Sequence, residues 1–136
     1  MKVKFESRIA GVFFRSPIIV STIFRGKIRL DGVMINFYCD DPFIDALRIL
    51  RGSKFFDEIG FFVFEGFPSV DLDYAYNLLG KPIIIFDGAD FRFVGLGFED
   101  FRSFMDVACV NGVVEALRVS RMVALKLLGT ISNYLS

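Results

Sequence analysis

At 136 residues the chain suits one domain spanning 1–136, able to bury roughly two-thirds of its unfolded surface and to fold without disulfide or metal. Its 16 acidic and 16 basic residues leave no net charge, which argues against a strongly basic nucleic-acid footprint, though a local basic patch stays open. It contains no His, which excludes a Ser-His-Asp triad, a Cys-His pair, an HExxH zinc motif and any histidine general base.

Taken in order, the chain opens with strands. Arg8–Phe14 is an apolar run bounded by Ser7 and Ser16-Pro17. Ile18–Arg25 is β-branched and follows a proline, as a strand start does. Gly26-Lys27 is a two-residue hairpin signal with Gly first, and Lys27–Tyr38 returns as a third strand. Asp31-Gly32 inside it marks a bulge or a second turn.

The period then changes to that of a helix. Asp41 caps, Pro42 occupies the first helical position, Phe43, Ala46, Leu47 and Leu50 share one face, and Gly52 is placed to end the helix left-handed. Ile59–Phe64 reads as a strand covered on both faces. Ser69 caps a short helix over Val70–Leu79, with Gly80 as its stop; Ile83–Phe86 is a second buried strand and Phe91–Val94 a further one. A helix from about Val113 to Leu128 carries Val113, Ala116, Leu117, Ser120, Ala124, Leu127 and Leu128 on one stripe. Glu115, Arg118, Arg121 and Lys126 lie opposite, with Met122 and Leu125 among them, facing solvent or a partner. Three meandering strands followed by helix-linked apolar strands describe an α/β fold. It is the layout of a ribonuclease-H-like mixed sheet, an antiparallel meander plus parallel strands, flanked by helices.

Apolar residues reach 54%, and 18 Phe account for much of the excess, so a self-association or partner surface is expected. No apolar run is long enough to span a bilayer, and the charged opening residues do not read as a signal peptide, so a cytoplasmic protein is expected. Cys39 and Cys109 make no CxxC motif and read as two buried free thiols. There is no Walker A loop, and Gly95-Leu96-Gly97 is only half of a dinucleotide fingerprint.

Carboxylates are what remains for chemistry. Two-metal phosphoryl transfer needs acids converging from several strand ends on Mg²⁺ or Mn²⁺. The candidates are Asp40 and Asp41 after the third strand, Glu65 after the fourth and Asp87 after the fifth, with Asp90 weaker. Each has a structural alternative: Asp41 as a cap, Asp71 and Asp73 in a helix first turn, Asp87-Gly88 as a turn. Glu65-Gly66 is harder to dismiss, because the Gly lets backbone or ligand come close.

These residues, in order, resemble an archaeal family classed as endonuclease-V-like, within the ribonuclease-H-like fold. The resemblance runs through Arg8-Ile9-Ala10-Gly11-Val12, Phe24-Arg25-Gly26 with Asp31-Gly32-Val33, and Asp40-Asp41 where the family has an Asp-Gly pair. It continues through Ser53-Lys54-Phe55, Phe64-Glu65-Gly66, Ser69-Val70-Asp71-Leu72 and Gly80-Lys81-Pro82-Ile83. Val114–Arg121 is similar to a Pro-Glu-x-x-Arg segment. The resemblance implies a site in which Asp40, Asp41 and Glu65 hold Mg²⁺ or Mn²⁺, with Asp41 and Glu65 catalytic if the domain is active. It also exposes a departure: the family's metal-binding Asp of the first strand is Phe13 here.

Phe13 has no oxygen to give, so a two-metal clamp loses its bridging ligand. The expectation is a domain with a degenerate metal site, acting as a nucleic-acid- or protein-binding module. The alternative is a Mg/Mn-dependent endonuclease on damaged or structured DNA or RNA. Arg15, Arg25, Lys54 and Arg92 are candidate phosphate contacts; Met122, Leu125 and the Phe91–Phe104 region are candidate contacts to a second copy or another protein.

Overall fold

The computed structural model describes residues 3–135. A six-stranded sheet is built from β1 (Arg8–Arg15), β2 (Ile18–Arg25), β3 (Arg29–Phe37), β4 (Ile59–Glu65), β5 (Ile83–Asp87) and β6 (Asp90–Val94). The spatial order is β3-β2-β1-β4-β5-β6. The β1–β2, β2–β3 and β5–β6 pairs are antiparallel, whereas β1–β4 and β4–β5 are parallel. Helices α1 (Pro42–Arg51) and α2 (Leu72–Leu79) make the two crossovers. Beyond the sheet lie α3 (Phe98–Ala108), a small hairpin of β7 (Cys109–Val110) and β8 (Val113–Val114), and the long α4 (Glu115–Leu135).

The period of two along each strand divides the core into layers. Ala10, Val12 and Phe14 of β1 join Phe62 and Phe64 of β4 on the face covered by α1 and α2. Phe43, Ala46, Leu47 and Leu50 are all buried there, as the helical spacing predicts. On the other face, Ile9, Phe61, Val63 and Ile84 pack beneath α3 and the start of α4, and Phe13, Ile18 and Val20 beneath Ala124.

Helix α4 is held against the sheet by a buried polar knot. Thr22 Oγ1 donates to the Ala116 carbonyl at 2.7 Å, Ser120 Oγ donates to the Gly11 carbonyl at 2.7 Å, and the two hydroxyls lie 2.9 Å apart. Gly11 permits this approach: a Cβ there would fall 2.4 Å from the Ala116 carbonyl carbon.

Several local expectations change. Asp31 is the extra residue of a bulge, since Ile23 faces Gly32 and Phe24 faces Leu30. The turn at Gly26 closes when the Ile28 N–H donates to the Arg25 carbonyl at 3.1 Å, so the third strand starts at Arg29 rather than Lys27. Gly52 caps α1 with φ −87°, not left-handed, because the chain continues into further turns before β4. The left-handed cap is Gly80, φ +68°. Asp71, not Ser69, caps α2 and accepts the Tyr74 N–H at 3.0 Å. Of the two thiols expected to be buried, Cys39 is exposed in the loop after β3. Cys109 is half-buried, and desolvation raises its pKa. Among the described residues no helix is long and apolar enough to cross a membrane.

Candidate functional site

Because β1, β4 and β5 run parallel, their C-terminal ends meet at one edge, the side where open α/β sheets bind ligands. Glu65 is the last residue of β4, in register with Phe13 of β1 and Phe86 of β5. Two residues beyond Val63, it lies on the α4 face. The Arg121 guanidinium of α4 hydrogen-bonds and ion-pairs with the Glu65 carboxylate, and also lies over the Phe13 ring at 5.8 Å from its centroid. A phenyl ring and a cation thus border this acid.

Gly66 has φ +91°, and a Cβ there would fall 2.4 Å from the Phe14 carbonyl oxygen. The close approach anticipated at this glycine is therefore made by β1 backbone.

Asp40 and Asp41 reach the same end of the sheet by another route. Asp41 is the cap of α1, its Oδ1 accepting the Ile44 N–H at 3.0 Å. Asp40 is exposed, and its N–H donates to Asp45 Oδ2 at 3.1 Å; the Cys39 N–H donates to the same oxygen at 2.7 Å. These two backbone donors, Asp40 first, hold the Asp45 carboxyl below its ordinary range. Strand β3 is separated from β4 by β2 and β1, which is three strand spacings or roughly 14 Å. Moreover, α1 places Phe43 against Phe64, 5.1 Å between ring centroids, on the face opposite α4. Asp40 and Asp41 therefore share an end of the sheet with Glu65 but not a face. Among the described residues no group of three or more His, Cys, Asp or Glu is arranged to hold a metal ion.

Two cavities border Glu65. A cleft of about 190 Å³ is lined by Glu65, Phe67, Ile85, Asp87 and Arg92. A larger one of about 420 Å³ lies between Glu65, Phe86, Met105, Leu117 and Arg121. Asp87 thus shares a cleft with Glu65, while Asp90 pairs with it across the β5–β6 hairpin.

Arg121 is the residue whose partner sequence reasoning misses: it reads there only as one of the charges opposite the apolar stripe. Its position four residues after Leu117 and three before Ala124 borders the buried stripe, and that spacing was the available clue. The candidate phosphate contacts divide between the two ends of the sheet. Arg15 and Arg92 are at the Glu65 end. Arg25 is at the other, its Nη2 3.3 Å from Asp31 Oδ2, and Lys54 lies over the Phe55 ring at 5.2 Å.

No family model matches the chain, and no curated protein matches it. Among solved structures it is similar to a protein of unknown function from Archaeoglobus fulgidus DSM 4304, with a TM-score of 0.72 and 15% identity. The similarity covers 91% of this chain and 98% of that one. At that identity it establishes a shared mixed α/β fold.

Proposed function

We propose that the chain is a ribonuclease-H-like domain of the endonuclease-V-like kind whose metal site has been replaced by an ion pair, so that it binds a macromolecular partner rather than cutting nucleic acid. The strand order β3-β2-β1-β4-β5, with β2 antiparallel to its neighbours, supports the scaffold. The observation that carries the functional reading is the Phe13–Glu65–Arg121 arrangement. A divalent ion at Glu65 would have to displace a guanidinium and would find no oxygen on Phe13. Magnesium binds through carboxylates and waters, and this donor set does not fit a two-metal site. The even charge balance and divided bases favour a protein partner over an extended phosphate backbone.

The test is calorimetry with Mn²⁺ and Mg²⁺. No binding in the millimolar range is expected. Tight binding that disappears in Glu65→Gln would overturn the reading.

One observation favours the second reading, a Mg/Mn-dependent endonuclease on damaged or structured DNA or RNA: Glu65 and Asp87 line one cleft. Mn²⁺-stimulated cleavage of deaminated-base substrates, lost in Glu65→Gln and in Asp87→Asn, would decide for it.

A further inference from the structure

We propose that the outer edge of β3 pairs with the same edge of a second copy, joining two six-stranded sheets across a twofold axis centred on Ile35. The two edges of the sheet differ sharply. Strand β6 is short, carries Asp90 and Arg92, and has Phe91 and Phe93 stacked on Phe101 of α3. Strand β3 is nine residues long, and from Gly32 to Phe37 it has no charged residue and no proline. Proteins ordinarily protect an edge with such devices or with a covering element. Here Val33, Ile35 and Phe37 are instead exposed to 43%, 47% and 64%.

The backbone is prepared for the same contact. The Tyr38 N–H donates inward to the Pro17 carbonyl, and the β2–β3 register runs unbroken from Phe37 back to Gly32. Antiparallel alternation then turns the N–H and C=O groups of Met34 and Asn36 inward, and those of Val33, Ile35 and Phe37 outward. The outward backbone groups and the exposed apolar side chains therefore belong to the same residues.

That pattern is self-complementary. Antiparallel pairing centred on Ile35 sets Ile35 against Ile35 and Val33 against Phe37, each a hydrogen-bonded pair. All these side chains lie on the α4 face, because Val33, Ile35 and Phe37 pair with Thr22, Val20 and Ile18. The half-buried Val123 and Leu127 of α4, packed on the Phe13–Ile18–Val20 cluster, extend the apolar face. A one-residue shift would remove the matching, since outward backbone groups would meet inward ones.

With the pairing centred on Ile35, the strands overlap only over Val33–Phe37, five residues at about 3.4 Å each, or about 17 Å. A sheet plus one helix layer adds about 20 Å of depth. The face thus offers about 340 Å² per copy, below the size of a stable specific interface, so the dimer is expected to be weak, forming only toward millimolar concentration. A second exposed apolar pair, Met122 and Leu125, is bordered by Arg118, Arg121 and Lys126, which a twofold contact would bring together.

Sedimentation of the full chain from micromolar to millimolar concentration tests this, alongside Ile35→Lys, Ile35→Thr and Leu125→Lys. The unsubstituted chain and Leu125→Lys are expected to show a concentration-dependent dimer. Ile35→Lys should abolish it and Ile35→Thr weaken it at least several-fold, with unchanged circular dichroism because the side chain is half exposed. Amide exchange at Val33, Ile35 and Phe37 should slow with concentration. A strict monomer at the highest concentration, or a dimer that survives Ile35→Lys, overturns the proposal. Both outcomes are independent of metal binding at Glu65.

Discussion

Arg121 and Glu65 are each part-exposed, with side-chain exposures of 38% and 19%. Pairs of this kind stabilise by about 1 kcal/mol or less. Arg121→Ala and Glu65→Gln should each cost about that much in urea unfolding, and the double variant should cost less than their sum. Arg121→Ala should still fail to bind Mn²⁺ in calorimetry, because freeing the carboxylate does not supply the oxygen that Phe13 lacks. Asp45 makes a pH prediction. Its folded pKa is depressed below the ordinary 3.8 by the Asp40 and Cys39 N–H groups. The stability it contributes is therefore fully present above that value and is lost as pH falls through the lower folded value. Asp45→Asn should flatten the loss of thermal stability as pH falls below about 4, a small effect because the group is near solvent.

At the scale of elements, the α4–sheet contact governs stability. Gly11→Ala would drive a methyl into the Ala116 backbone, which cannot give as a side-chain tip can. Overpacking of this kind costs about 1–3 kcal/mol, and the rigid partner puts Gly11→Ala at the upper end in denaturant unfolding. Ser120→Ala should cost about 1–3 kcal/mol, because it strips the buried Gly11 carbonyl of its hydroxyl donor. The strands and α1 were legible in the sequence, since their periods and caps are local. The knot was not: Thr22 and Ser120 are separated by 98 residues, and no local pattern pairs them. Within the candidate Phe91–Phe104 contact region, Phe101 and Phe104 are buried.

Across the whole molecule, the Phe excess is largely internal. Phe14, Phe43, Phe64 and Phe67 form one aromatic cluster, and Phe91, Phe93 and Phe101 a second stack. Exposed apolar side chains are most closely clustered on β3, with Met122 and Leu125 on the outer face of α4 and others, such as Phe91 and Phe98, spread around α3 and β6. Native-state amide exchange should be slowest in β1, β2 and β4, whose side chains are buried on both faces, and fast in α4 beyond Gly129, where Thr130, Ser132 and Asn133 are exposed.

By itself the sequence determined the α/β class, most strand and helix positions, the Asp41 cap and the lack of an oxygen ligand at Phe13, because each depends on residue type and short-range spacing. Only the tertiary structure decided what the acids do. Asp40, Asp41 and Glu65 read alike as acids after strands, but the sheet sends the first two toward the α1 face and the third toward α4. There Arg121, brought across 56 residues of chain, neutralises it. Convergence depends on strand order and on which face each residue takes, and neither is written in local periodicity.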